Sequence, residues 1–135
     1  MLVIDASALI ELLLNTDTGR NVANEIGVEH ALHAPDLIGV EMVNVLRRLV
    51  SRNEISVEEA ATVLADFGQL GVEIYEHSPL LGRAFDLRGA VTGYDAMYVA
   101  LAEGLQAPLL TCDAKLGGSN GHRATIRVVS ASTPR

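Results

Sequence analysis

Short apolar segments alternate with longer helical patterns along this chain, and that alternation restricts its fold more than any other feature of the sequence. Five segments have the character of strands: residues 2–5, 31–34, 72–75, 108–112 and 126–129. Strands that alternate with helices form βαβ units, in which the strands run parallel and helices cover both faces of the sheet. We therefore expect an α/β fold, a three-layer α/β/α sandwich with a central, mostly parallel sheet of four to five strands.

Apolar periodicity and capping residues place helices between these strands. Helices are expected after Ser7 and over residues 19–28, 36–50, 56–70, 79–89 and 95–103, with a flexible, glycine-rich loop over residues 117–121. Ser7 and Asp36 are expected to cap the helices that follow them. Ser56 and Glu59 have the spacing of a capping box, and Gly71 is expected to end the helix that they begin.

The length and apolar content of the chain suit one compact domain. We expect a single domain over residues 1–135, with residues 130–135 as a loose tail. Hydrophobic residues make up 49% of the chain, so much of this surface must be buried in the core or covered by a partner. No apolar run approaches the roughly 20 residues that span a bilayer, and the first residues lack the basic region of a signal peptide. The single cysteine, Cys112, excludes an internal disulfide. We therefore expect a cytoplasmic protein with no membrane partner.

The formal net charge of −7 argues against broad nucleic-acid binding through a basic surface. Two interpretations remain open. The protein is either an acidic protein without a polyanionic partner, or several of its negative charges are ligands of a metal ion that reverses the local field. Nine of the ten basic residues are arginines. Arginine suits bidentate contacts with phosphate, although genomic composition explains this bias equally well.

Four acidic residues occupy informative positions: Asp5, Glu41, Asp95 and Asp113. Asp5 and Asp113 each follow a segment that is apolar throughout, so each carboxylate is expected at the C-terminal edge of the sheet. If the two strands are neighbours, about 5 Å apart, both carboxylates reach one ion. Asp95 begins a helix, so the same edge of the sheet has room for it.

Glu41 is surrounded in sequence by apolar residues and lies three positions before Asn44, on the same face of a helix. This pattern predicts a carboxylate that points into the fold. Carboxylates gathered at one edge repel one another unless a cation joins them, which indicates magnesium or manganese and phosphate chemistry. Taken singly, each of these aspartates is better explained by a structural role: Asp95 as a helix cap, Asp5 as a polar stop after a strand and Asp113 as a turn residue.

Four segments together resemble the PIN-domain family, specifically the VapC-type toxins of bacterial toxin–antitoxin pairs. They are residues 3–8 (VIDASA), 41–46 (EMVNVL), 94–102 (YDAMYVALA) and 110–116 (LTCDAKL). The resemblance implies a PIN-like fold in which Asp5, Glu41, Asp95 and Asp113 form the family's acidic quartet. Ser7, Asn44 and Thr111 match its supporting polar positions.

The resemblance also implies an activity and partners. The expected activity is that of an endoribonuclease dependent on Mg²⁺ or Mn²⁺, in which metal-activated water cleaves RNA and leaves 5′-phosphate and 3′-hydroxyl ends. Asp5 and Asp95 are expected to bind the metal directly, with Glu41 and Asp113 completing the site directly or through water. The implied partners are RNA, a cognate VapB-like antitoxin and a second copy of the chain.

Two surfaces are candidates for contacts with these partners. Arg47, Arg48, Arg52 and Arg123 are candidate RNA contacts, although each is also explained as a solvated surface charge. A groove for an antitoxin helix is a second candidate, lined by Leu9, Leu12, Leu13, Val45, Leu46 and Leu49, although packing in the core is the favoured explanation of each of these residues.

Two other classes of function remain open. A catalytically inactive PIN-like binding module would keep the fold, although the intact quartet argues against it. A phosphotransfer protein with an acidic α/β pocket would pair a phosphorylated aspartate with a lysine, but Asp113 and Lys115 are too close in sequence for that arrangement.

Overall fold

The computed structural model describes residues 1–28 and 31–131, and within them five parallel strands form one sheet. The strands are β1 (Leu2–Ile4), β2 (Leu32–Pro35), β3 (Glu73–Tyr75), β4 (Leu109–Thr111) and β5 (Ile126–Val128). Their order across the sheet is β3-β2-β1-β4-β5. The predicted α/β fold with a parallel sheet of up to five strands is therefore confirmed. Most of the expected loose tail, residues 132–135, lies outside the described residues.

The strand order places a switch point between β1 and β4. From β1 the chain moves outward to β2 and β3, then returns to the other side of β1 for β4 and β5. Val3 pairs with His33 on one side and with Leu109 on the other. The strands that precede Asp5 and Asp113 are therefore neighbours, as the metal hypothesis required. Open α/β sheets bind ligands at the carboxyl ends of the strands beside such a point.

Seven helices connect the strands within the described residues. They are α1 (Ala6–Leu14), α2 (Asp17–Ile26), α3 (Leu37–Ser51), α4 (Val57–Leu70), α5 (Leu81–Asp86), α6 (Gly93–Leu105) and α7 (Ala114–Gly117), and a 3₁₀ turn (Ser78–Leu80) precedes α5. Helix α1 contacts α2, α3 and α4, helix α3 also contacts α4, and α5 packs against α6. Connections between parallel strands are right-handed. The connections that lead from β1 toward β3 and those that lead back toward β5 therefore lie on opposite faces of the sheet, which gives the three-layer sandwich. No helix in the described ranges has the length and apolar character that a bilayer span demands.

The capping predictions were partly wrong. Ser56 and Glu59 form the expected capping box, and Gly71 ends α4 with a φ of 77°. Ser7, however, does not cap α1, because Asp5 occupies the N-cap and accepts the hydrogen bond of the Ala8 backbone N–H. Asp36 makes no capping hydrogen bond to α3; the Nε2 atom of His77 accepts the hydrogen bond of the Leu37 N–H instead, at 2.8 Å.

Several helix boundaries also differ from the prediction. The helix expected over residues 79–89 is a 3₁₀ turn, Ser78–Leu80, followed by α5, which ends at Asp86. Helix α2 begins at Asp17, because Thr16 caps it.

Helix α6 continues past Gly104 to Leu105, and Gln106 closes it in the left-handed conformation. Residues 117–121 are not loop throughout, because Gly117 is the last residue of the short helix α7, which Asp113 caps. The side chain of Ser119 hydrogen-bonds the carbonyl of Leu116 at 2.6 Å and the ring of His122 at 2.8 Å.

The core lies around β1, β4 and α6. The side chains of Leu2, Val3 and Ile4 are fully buried, which explains why their strand is apolar throughout. Helix α6 is buried on every side from Ala96 to Ala102, so it shows little amphipathic pattern. This burial fixes the position of its first turn, which carries Asp95.

Candidate active site

All four predicted acidic residues line one cleft of about 310 Å³ at the C-terminal edge of the sheet. Asp5 joins β1 to α1, and Asp113 joins β4 to α7. Asp95 lies in the first turn of α6, and Glu41 comes from α3. Residues separated by as many as 108 positions in the chain are thus brought together because β1 and β4 pair at the switch point.

Asp5 is the most tightly held of these carboxylates. Its side chain is 6% exposed, and Oδ1 accepts hydrogen bonds from the Ser7 hydroxyl at 2.7 Å and the Ala8 N–H at 3.0 Å. Oδ2 accepts a hydrogen bond from the Thr111 hydroxyl at 2.5 Å. Burial raises the pKa of Asp5 above its ordinary value, the three hydrogen bonds oppose that rise, and the negative charge of Asp95 adds to it. Asp5 is thus oriented before any ligand arrives.

Two predicted supporting residues, Ser7 and Thr111, link the ends of the central strands. The Ser7 hydroxyl accepts a hydrogen bond from the Cys112 N–H at 3.0 Å, and the Thr111 hydroxyl accepts one from the Asp113 N–H at 3.0 Å. Each hydroxyl donates to Asp5, so both side chains use their donor and acceptor capacity within the site. The third supporting residue, Asn44, lines the same cleft from α3 with an exposed side chain.

Glu41 points into the fold, as predicted, and meets a residue that the sequence reasoning missed. The Tyr98 hydroxyl donates a hydrogen bond to Glu41 Oε1 at 2.5 Å. Burial raises the pKa of Tyr98 above its ordinary value, and its bond to Glu41 adds to that rise, so the hydroxyl remains a donor. A signal did exist in the sequence, because Tyr98 lies three positions after Asp95 and such residues share a helix face.

The remaining acidic residues show how crowded the cleft is. Burial raises the pKa of Glu41, the Tyr98 hydrogen bond lowers it, and the charges of Asp5 and Asp95 raise it further. Burial also raises the pKa of Asp95, against a hydrogen bond from the Thr92 hydroxyl at 3.2 Å, and the charge of Asp113 adds to the rise. The pKa values of Asp5, Glu41 and Asp95 are thus raised by the same two effects, burial and nearby negative charge.

The donor set suits a hard divalent cation. Across residues 1–28 and 31–131, no three side chains of His, Cys, Asp or Glu are grouped closely enough to form a ready metal cage. Magnesium does not require such a cage, because it keeps several waters and is commonly held by one or two carboxylates together with substrate phosphates. The cleft offers carboxylate oxygens, hydroxyls and an amide, with no histidine or cysteine among its lining residues. These residues fit Mg²⁺ or Mn²⁺ better than a metal that prefers nitrogen or sulfur.

Only one of the candidate arginines reaches the acidic cleft. Arg48 lines both the cleft and a neighbouring groove, whereas Arg47 and Arg52 line the groove alone. Arg123 lies elsewhere, just before β5 and so at the opposite, N-terminal edge of the sheet. There its backbone N–H donates to Glu103 at 2.7 Å, and its guanidinium lies 3.8 Å from the same carboxylate. Arg123 therefore lies away from the acidic cleft, and its contact with RNA stays a prediction.

The apolar residues considered for a groove pack in or against the core, which was the favoured interpretation of each of them. Leu9 is fully buried in the core, and Leu12, Leu13, Val45 and Leu49 are partly buried against it. The structure has a groove of about 660 Å³ between α3 and α4 instead. Its apolar lining comes from Val43, Leu46, Val50, Val57, Ala60 and Leu64, and Arg47, Arg48 and Arg52 also line it. Of the six residues considered from the sequence, Leu46 alone lines this groove.

Comparison with known proteins places this site in a family. The model of the PIN domain matches residues 2–117. The chain therefore belongs to the PIN-domain family.

Within that family the chain is of the VapC type. It is 43% identical to Ribonuclease VapC12 of Mycobacterium tuberculosis over 96% of this chain and 100% of that protein. It is 38% identical to Ribonuclease VapC1 of the same organism, over 94% of this chain and 96% of that protein. The crystal structure of VapBC2 from Rickettsia felis, bound to a DNA fragment from its promoter, shares the fold with a TM-score of 0.67. That match has 11% identity and covers 96% of this chain and 98% of that one.

Proposed function

We propose that this protein is an endoribonuclease that depends on Mg²⁺ or Mn²⁺ and serves as the toxin of a toxin–antitoxin pair. The observation that carries the proposal is the convergence of Asp5, Glu41, Asp95 and Asp113 on one cleft beside the β1–β4 switch point. The 43% identity to a protein named Ribonuclease VapC12 supports the same activity. The phosphotransfer alternative lacks such support, because Lys115 is exposed and absent from the lining of the cleft.

In this proposal the residues of the cleft have distinct roles. Asp5 and Asp95 hold the cation directly, and Glu41 and Asp113 complete its surroundings directly or through water. When bound, the ion supplies Lewis-acid polarisation of the scissile phosphate and activation of the attacking water. Ser7 and Thr111 hold Asp5 in a fixed orientation, the kind of outer-shell support on which metal affinity depends.

Substrate phosphate must enter an acidic cleft, and two side chains at its margin favour that entry. Arg48 is exposed there and offers a planar set of donors that matches a phosphate group. The Asn44 amide, also exposed, offers a neutral donor on the same helix. These groups act locally, so the net charge of −7 does not prevent RNA from reaching the cleft.

The groove between α3 and α4 supports a partner of VapB type. It is apolar along its length, is lined by three arginines and adjoins the cleft through Asn44 and Arg48. An amphipathic helix with acidic residues at its margins fits such a surface. An antitoxin bound there would lie beside the cleft and obstruct RNA. The homodimer implied by the family resemblance stays a prediction.

The test is RNA cleavage by the isolated chain in Mg²⁺, in Mn²⁺ and with a chelator, beside the variant Asp95→Asn. We expect cleavage that requires the cation and falls by at least about 100-fold in the variant, because an amide replaces a charged ligand of the ion. Cleavage that persists in chelator would contradict the metal requirement. If the wild-type protein neither cleaves RNA nor binds Mn²⁺ in calorimetry, the inactive binding module becomes the better account.

The role as a toxin is tested with the same two proteins in a host cell. Expression of the wild-type chain should arrest growth, Asp95→Asn should not, and co-expression of the cognate antitoxin should restore growth. Unimpaired growth with soluble, active wild-type protein would remove the toxin role and leave the nuclease.

A further inference from the structure

Tyr98 is a polar residue in the part of α6 that is buried on every side. It lies in the buried stretch Ala96–Ala102 of α6 and is only 1% exposed. A buried tyrosine hydroxyl requires partners, and phenylalanine would fill the same space without that requirement. Packing alone therefore does not explain why the ring carries a hydroxyl at this position.

The hydroxyl of Tyr98 reaches from α6 to the helix that carries Glu41. It donates to Glu41 Oε1 on α3 at 2.5 Å. Helix α6 itself packs against β1, the strand that leads into Asp5, and Tyr98 lines the same cleft as both carboxylates. The hydrogen bond therefore bridges α3 and a helix that is packed beside Asp5.

We propose that Tyr98 is a positioning residue, a buried hydroxyl bridge that holds the Glu41 carboxylate at a set distance from Asp5 so that both can serve one cation. This inference rests on the proposed metal-dependent function and deepens it. The hydrogen bond uses one lone pair of Oε1 and leaves the rest of the carboxylate for a ligand. Without the bridge, Glu41 would have to give up its rotamer freedom when the cation binds, and the affinity would be lower.

The test compares Mn²⁺ affinity by calorimetry in the wild type and in Tyr98→Phe, with Tyr75→Phe as the matched control. The Tyr75 hydroxyl also makes a hydrogen bond inside the fold, to His33 at 2.7 Å, but Tyr75 lies on β3 at the far edge of the sheet and does not line the cleft. Tyr98→Phe should weaken Mn²⁺ binding by about 10-fold or more, the usual loss when an outer-shell partner is removed. Tyr75→Phe should leave the affinity unchanged even if its melting temperature falls.

A double-mutant cycle with Glu41→Ala shows whether Tyr98 acts through Glu41. In the Glu41→Ala background, Tyr98→Phe should have no further effect on Mn²⁺ affinity, because the carboxylate through which Tyr98 acts is absent. Additive losses, an unchanged affinity in Tyr98→Phe, or a tighter one would each overturn the inference while leaving the proposed function intact. A wild-type protein that binds no Mn²⁺ would overturn both.

Discussion

At the scale of single residues, Thr111 makes a testable contribution to the site. It is fully buried, and its hydroxyl both donates to Asp5 Oδ2 and accepts the Asp113 N–H. Thr111→Val keeps the shape but leaves these two groups unpaired, which should cost about 1–3 kcal/mol of unfolding free energy. Since the lost hydrogen bond lowered the pKa of Asp5, that pKa should rise, and the acidic limb of the pH–rate profile should move to higher pH.

Thr111→Ser is the matched control for this prediction. Serine keeps the hydroxyl and removes only a methyl group, so the pH profile should stay in place while stability falls slightly. A profile that shifts equally in the serine and valine variants would show that the methyl group, and not the hydroxyl, matters to Asp5.

Residue positions were predictable where the local sequence dictated them. Asp5 and Asp113 end apolar strands, and that alone placed both at the C-terminal edge of the sheet. The partner of Glu41 was not predictable in the same way, because Tyr98 is 57 positions away and the contact depends on how α3 meets α6. The place of Arg123 was not predictable either, since being basic and in a loop says nothing about which edge of the sheet it lies on.

At the scale of secondary-structure elements, the start of α3 is held from outside the helix. The His77 ring accepts the Leu37 N–H at 2.8 Å, whereas Asp36, at the N-cap, makes no such bond. His77→Ala should therefore cost about 0.5–2 kcal/mol, the usual loss for a helix cap. Asp36→Ala should cost less, because it removes only the attraction between an exposed charge and the helix dipole. Urea unfolding followed by circular dichroism measures both, and a greater loss in Asp36→Ala would contradict the assignment.

The elements themselves were largely predictable, and the exceptions have physical causes. Strands can be recognised in a sequence from apolar runs, and long helices from the periodicity of their apolar residues. All five predicted strands are present among the described residues. Helix α7 has four residues, too few to show a period, and ends in glycine. The cap of α3 was missed because histidine is not a usual N-cap residue and His77 comes from a segment 40 positions away.

At the scale of the whole molecule, the topology collects negative charge at one place, and this has a cost in stability. Folding raises the pKa values of Asp5, Glu41 and Asp95 above their ordinary values. The folded state therefore binds protons more tightly than the unfolded state, and the contribution of these groups to stability falls as the pH rises through the raised pKa values. The proposed function would explain why such an arrangement persists, because a cation bound to the folded state would offset the repulsion.

Asp95→Asn tests this balance directly, because it removes one of the mutually repelling charges. At neutral pH the variant should be more stable than the wild type in the absence of divalent cations. The difference should disappear as the pH falls well below the ordinary aspartate pKa of about 4, where Asp95 is protonated in both states. Added Mg²⁺ should raise the melting temperature of the wild type more than that of the variant, since the wild type binds the ion more tightly. Melting curves across pH, with and without Mg²⁺, measure all three effects. If the variant is the less stable protein at neutral pH without the ion, Asp95 stabilises the fold, and the repulsion among these carboxylates is not what the cation relieves.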